Sequence, residues 1–105
     1  MRYRVVIAAR AQRDIDDFAR YCRSYSPEFW DQQSDQLSRV FETWLSEAPG
    51  TWGFFFATGA PYRAYLFDVG QRTKFWIVYT IDERTLTVRI LRMWNAARDP
   101  KNFLG

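Results

Sequence analysis

The sequence predicts an α+β domain: an N-terminal strand, an antiparallel helical hairpin, then a three- to four-stranded antiparallel meander with the helices on one face of the sheet. Three observations lead there. The stretch KFWIVYTIDERTLTVRILRMW, Lys74 to Trp94, holds two apolar runs split by the short polar turn Asp82-Glu83-Arg84, the pattern of an antiparallel β-hairpin. Ahead of it, residues 11–48 carry apolar side chains at helical rather than alternating spacing. Finally, a hairpin this hydrophobic is marginal by itself in water, so the helices must cover it.

Taken in order, Tyr3 to Ala8 (YRVVIA) reads as a short strand ended by helix formers. In the helix that follows, Ile15, Phe18, Ala19 and Cys22 fall on one stripe, with Asp14, Asp16, Asp17, Arg20 and Arg23 mostly off it. Cys22 reads as a small buried hydrophobe of that stripe. The aspartates precede the arginines, the order that suits the helix dipole. Ser26-Pro27 ends this helix and starts the next, with Ser26 as N-cap and Pro27 in the first helical position. Trp30, Leu37, Val40, Phe41, Trp44, Leu45 and Ala48 form the second stripe, interrupted near Gln33 and Ser34 and stopped by Pro49-Gly50. Trp30 and Trp44 are expected in the core between helix and sheet.

Thr51 to Gly59 (TWGFFFATG) reads as either a strand or a packed loop. Tyr62 to Phe67 (YRAYLF) is a clearer strand, followed by a turn over Asp68 to Arg72. In the hairpin, Phe75, Ile77, Tyr79 and Ile81 share one face, and Trp76, Val78 and Thr80 the other. On its second strand Leu86, Val88 and Ile90 oppose Thr87, Arg89 and Leu91. With helices on one sheet face, the other must be solvated or held by a partner.

Length and composition narrow the function. A chain of 105 residues makes one domain, 1–105, and 19% aromatic content rules against disorder. No apolar run approaches the roughly 18 residues of a membrane span. The apolar run in MRYRVVIAARAQRD is too short for a signal peptide, and one cysteine permits no internal disulfide, so a cytoplasmic location is expected. There is no histidine, which removes the commonest general base and metal ligand; neither a metal nor a cofactor is expected. Residues 1–25 carry six basic and three acidic groups, residues 26–50 one and five, and residues 51–105 eight and four. Basic ends around an acidic middle suit an anionic partner surface on the sheet side.

On these features the chain resembles the RelE/ParE superfamily of toxins from bacterial type II toxin–antitoxin modules. The resemblance lies in the strand YRVVIA, the helix start Ala11-x-x-Asp14-Ile15, Tyr62-Arg63, and Tyr79-Thr80-Ile81-Asp82. The tail Val88-Arg89-Ile90-Leu91-Arg92, followed by Ala97-Arg98-Asp99-Pro100, also belongs to it. It spans nearly the whole chain and implies a cognate antitoxin that wraps and blocks the toxin, with any DNA contact left to the antitoxin. It also implies one of two activities. RelE-like members cut messenger RNA on the ribosome; ParE-like members, of plasmid-stabilisation modules, bind DNA gyrase.

Under the ribonuclease reading the catalytic candidates are Arg63, Tyr65 and Arg98. Arg63 stands where that branch carries a lysine, but Tyr65 replaces a second basic residue and Trp76 a catalytic arginine. Arg98 meets the late arginine only with a shift, and Phe103 stands near an expected tyrosine without its hydroxyl. RNA cleavage needs a base for the 2′-hydroxyl proton and cations for the phosphorane charge. Indole and phenyl rings supply neither, so the sequence favours a gyrase-binding inhibitor over an endoribonuclease; a degenerate member that binds antitoxin without toxicity is the third reading. The candidate target- or antitoxin-binding residues are Arg63, Tyr65, Trp76, Arg89, Arg92, Trp94 and Arg98. For Arg63 and Arg89 the competing role is a solvated or ion-paired group on the open sheet face. For Tyr65, Trp76, Trp94 and Phe103 it is packing, completed in part by a bound partner.

Overall fold

Alternating side chains build the sheet, and helical stripes close it on one side. In the computed structural model, which describes residues 2–53, 62–70 and 73–98, strand β1 spans Arg4–Ile7, helix α1 Ala9–Tyr25 and helix α2 Pro27–Arg39. Strands β2, β3 and β4 span Arg63–Gly70, Thr73–Asp82 and Thr87–Asn95. The sheet order is β1-β4-β3-β2. β2, β3 and β4 form the expected antiparallel meander, and β1 joins it parallel to β4, making the sheet mixed. Most of Thr51 to Gly59 lies outside the described residues; Pro49–Thr51 is a single 3₁₀ turn.

The faces of β3 fall as the alternation requires. Ile77 and Tyr79 enter the main core, with Phe75 and Ile81 packed against it, while Val78 and Trp76 lie in a cluster on the other side. The β3–β4 turn is longer than expected. One Asp82 carboxylate oxygen accepts the backbone N–H groups of Arg84 (3.0 Å) and Thr85 (3.3 Å), and Leu86 takes φ +51°. Leu86 therefore belongs to the turn, and β4 begins at Thr87. At the end of β2, Gly70 takes φ +88°, a conformation that costs glycine little, and its N–H reaches Asp68.

The helical hairpin forms around Ser26, whose hydroxyl accepts the Phe29 N–H (3.1 Å) with Pro27 in the first turn. α1 starts at Ala9, so its aspartates lie beyond the first turn, where the dipole has faded. Its stripe, Ala11, Ile15, Phe18, Ala19 and Cys22, is buried, and burial pushes the Cys22 thiol pKa up. Each large apolar side chain so buried stabilises the fold by about 1.5–3 kcal/mol.

The second stripe departs from expectation. α2 continues into a π turn, Val40–Trp44, and a last α turn, Leu45–Glu47. The Leu45 N–H donates to Val40 O, five residues back, so the buried positions run Leu37, Val40, Leu45. The extra residue in that turn shifts the helix phase by about 100°. Trp44 is thereby rotated off the core and is 50% exposed, against the expectation that it would be buried. Trp30 does pack on the core, edge-on to Phe18 at 6.2 Å. Gln33, at the interruption of the stripe, is itself buried.

The face away from the helices is not left bare. Ala64, Val78 and Trp94 are buried there, with Tyr62 and Trp76 against them. Trp76 and Trp94 are direct cross-strand partners, and rings of that size cover the small side chains beside them. The expectation of a wholly solvated or partner-held face is corrected to that extent.

Candidate functional site

A β-bulge decides which way the end of β4 faces. Tyr79 pairs with Ile90 but Val78 pairs with Arg92, so Leu91 is an extra residue in β4. Without it, strict alternation would turn Arg92 and Trp94 toward the helices. With it, Val88, Ile90 and Met93 face the core, while Arg89, Arg92 and Trp94 share the other side.

β1 ends opposite Ile90, which leaves the outer edge of β4 uncovered beyond that point. Asp14 of α1 takes the place of a strand there. Its Oδ2 accepts the Met93 backbone N–H (3.0 Å) and the Arg92 Nε–H (2.7 Å), and its Oδ1 accepts from Arg92 Nη2 (3.3 Å). The two side chains are only 11% and 14% exposed. The same guanidinium lies 5.0 Å from the centre of the Trp94 ring, and that of Arg98 lies 5.8 Å from it. Between this end of β4 and α1 runs a groove of ≈ 330 Å³ lined in part by Asp14, Asp17, Tyr21, Arg92, Trp94 and Arg98. Tyr21 is paired through its hydroxyl with Tyr25, which raises its pKa and adds no acid or base near neutrality. Asp17 pairs with Arg20 at the surface, an exposed contact of little energetic weight.

The candidate residues thus divide. Trp76, Arg92, Trp94 and Arg98 gather at the end of β4. Arg89 is exposed and stands further back along the strand, between Thr80 and Val6. Arg63 and Tyr65 lie on the opposite face, with the helices. Arg63 donates to the Trp52 carbonyl (2.6 Å), and Tyr65 packs edge-on to the Trp52 ring at 5.0 Å. Beside them the buried Tyr79 hydroxyl donates to Pro49 O (2.5 Å), and burial pushes its pKa up to about 12. These contacts hold the segment 49–53 against the sheet. Phe103 lies outside the described residues.

Chemically, the groove offers two guanidinium groups stacked on an indole, one of them already bound to a carboxylate. It can hold an anion or stack on a flat group. Tyr79 cannot serve as a base near neutral pH, because its proton is held by both burial and its acceptor. Among the described residues no group of His, Cys, Asp and Glu side chains is arranged to hold a metal ion. No helix among them is long and apolar enough to cross a membrane. Asp14 and Tyr21 were not among the site candidates. Asp14 is legible in the sequence as part of a helix start, but its partner is far off in the chain, and spacing gives no sign of it.

This architecture has a solved counterpart. A chain of the RelBE2 toxin–antitoxin complex from Mycobacterium tuberculosis matches 90% of this chain and 99% of its own length, with a TM-score of 0.59 and 20% identity. The two share a fold. The free-state structure of a mutant E. coli toxin RelE gives a TM-score of 0.47 at 14% identity, over 92% of this chain and 86% of that one. No family model and no curated protein matches the chain.

Proposed function

We propose that this protein is the toxin of a type II toxin–antitoxin module of the plasmid-stabilisation kind, acting in the cytoplasm. In this reading it inhibits DNA gyrase by binding it and is neutralised by a cognate antitoxin. The fold shared with a chain of a toxin–antitoxin complex supports the module assignment. The choice of a binding inhibitor rests on how the arginines are used. Arg63 is turned to the helix side and tied to the Trp52 carbonyl, and Arg92 is tied to Asp14. An RNA-cleaving site needs such cations aimed at one phosphate, with a base alongside; here Arg63 serves the Trp52 carbonyl, while Arg98 lies in the turn beyond β4 against the Trp94 ring.

The ribonuclease reading keeps one supporting feature, the pair of guanidinium groups on Trp94. A single experiment separates the two. Purified protein is added to a gyrase supercoiling reaction and, in parallel, to translating ribosomes with a defined message. The binding reading expects loss of supercoiling near one toxin per gyrase and an intact message. Cleavage of the message with supercoiling untouched would overturn it in favour of the nuclease. If neither happens and induced cells grow normally, the protein is not a toxin.

A further inference from the structure

We propose that the groove between α1 and β4 takes an extended, acidic segment of another protein, which adds to the outer edge of β4 as a short parallel strand. The inference stands whichever target the protein has. Register shows where such a strand bonds. The Ala96 N–H donates to Lys74 O and the Met93 N–H to Asp14. Trp94 and Ala96 therefore turn their backbone groups to β3, and Met93 and Asn95 turn theirs outward. Of the four outward groups, Asp14 takes the Met93 N–H, and Asn95 O accepts from the Arg98 N–H. The Met93 C=O and the Asn95 N–H have no partner among the described residues. β1 shows what fits such a pair. Parallel to β4, it donates from Arg4 and Ala8 to the carbonyls of Leu86 and Ile90. A residue opposite Trp94 that donates to Met93 O and accepts from the Asn95 N–H repeats this pattern in line with β1.

The charges around this slot commit it to an acidic occupant. Both carboxylates that line the groove are spent, Asp14 on Arg92 and Asp17 on Arg20. Arg98 is exposed and lies against the Trp94 ring. Arg10 and Arg13, also exposed, stand one helical turn before Asp14 and Asp17, on the side of α1 that borders the groove. None of these three arginines forms an ion pair among the described residues. α1 has no acidic residue in its first turn, so Arg10 and Arg13 lie where the helix dipole already adds positive charge. Three such cations around one groove are complementary to an anionic segment. Alternation then assigns its side chains. The residue opposite Trp94 shares that ring's face and meets Arg98; the one before it points to α1 on the side of Arg10 and Arg13, and the one after it to Phe18, Tyr21 and Phe75. The fitting motif is acidic, acidic, apolar, read in the direction of β4. With two backbone bonds and exposed charges, a short peptide binds weakly and in a salt-dependent way.

The test is a nuclear magnetic resonance titration of the isotope-labelled full chain at low salt with the blocked peptide acetyl-Thr-Glu-Glu-Val-Thr-amide. Binding is expected to shift the Asn95 amide and slow its hydrogen exchange, while the Trp94 amide, already bonded to β3, keeps its exchange rate. Methylating the backbone nitrogen of the second glutamate removes the donor to Met93 O and should weaken binding about tenfold. Replacing both glutamates by lysine should abolish it. Arg98→Glu should lose affinity for the Glu-Glu peptide about tenfold and prefer acetyl-Thr-Glu-Lys-Val-Thr-amide, a reversal that no loss of folding would produce. Arg10→Glu with Arg13→Glu should weaken the original peptide as well. An Asn95 amide already protected in the free protein overturns the proposal, because the edge is then filled by the chain itself. So does equal binding of the lysine or the methylated peptide, undiminished binding by the Arg10→Glu, Arg13→Glu variant, or an Arg98→Glu variant whose preference is not reversed.

Discussion

Asp14→Ala is the most exacting perturbation, because one carboxylate serves two structures. It neutralises the Arg92 guanidinium and satisfies the Met93 backbone N–H where β1 no longer reaches. Breaking a buried ion pair costs about 3–5 kcal/mol when the remaining charge is sealed from water. Stranding a buried backbone N–H adds about 1–3 kcal/mol. Here both sites border a solvent-open groove, the side chains keep 11% and 14% exposure, and Arg92 retains its place over Trp94. Water thus recovers part of both terms, and the expected loss is about 3 kcal/mol. For a domain of this size that lowers Tm by about 12–20 °C. Urea unfolding followed by tryptophan fluorescence reads it directly. Asp14→Asn, which keeps an acceptor for Met93, should lose less. A double-mutant cycle with Arg92→Met should return a coupling of about 2 kcal/mol. If the two losses simply add, the ion pair does not anchor β4 and the account of this edge is wrong.

Four further outcomes follow from the same contacts. Tyr79→Phe removes the hydrogen bond to Pro49 O and should cost about 1–2 kcal/mol in urea unfolding. Because the folded pKa of Tyr79, about 12, exceeds its ordinary 10.0, its contribution holds below pH 10 and fades as pH rises toward 12; the variant should show a shallower alkaline decline. Asp82 behaves in the opposite sense: hydrogen bonds from Thr85 lower its carboxyl pKa, so its stabilisation is present above the ordinary carboxylate range and lost as pH falls through the lowered value, and Asp82→Ala should flatten that part of the acid limb. Deleting Glu42 should turn the π turn into an ordinary α turn with Leu45 still inside, changing stability by less than about 1 kcal/mol, whereas deleting Gln36 should throw Val40 and Leu45 out of register and unfold the chain. Arg63→Met should cost about 1–2 kcal/mol by freeing the Trp52 carbonyl yet leave growth arrest on induction intact; loss of arrest in a folded variant would return Arg63 to the functional site.

The order of elements was legible from period alone. Period two at Phe75 to Ile81 fixed which side chains of β3 face the helices, and the stripe from Ile15 to Cys22 fixed the buried side of α1. Ser26-Pro27 marked the break between helices because its chemistry is local: a hydroxyl accepts from an amide three residues on. Aromatic and basic groups at Arg92, Trp94 and Arg98 marked one end of β4 as chemically different, and three-dimensional structure does gather them there.

What period could not reveal is any place where one residue too many enters an element. Leu91 adds one to β4 and the Val40–Trp44 turn adds one to the second helix; the first re-aims Arg92 and Trp94, and the second moves Trp44 into solvent. Each insertion is permitted locally and selected by what packs against it, so its cause lies in the tertiary structure. Partnerships across the chain belong to the same class. That Arg63 serves the 49–53 segment and Arg92 serves α1 depends on which surfaces the folded sheet brings within reach. The sequence alone determined which elements form and which of their faces are apolar, because both follow from side chains a few residues apart; the direction of β1 and the working geometry of the arginines were decided only once distant segments met.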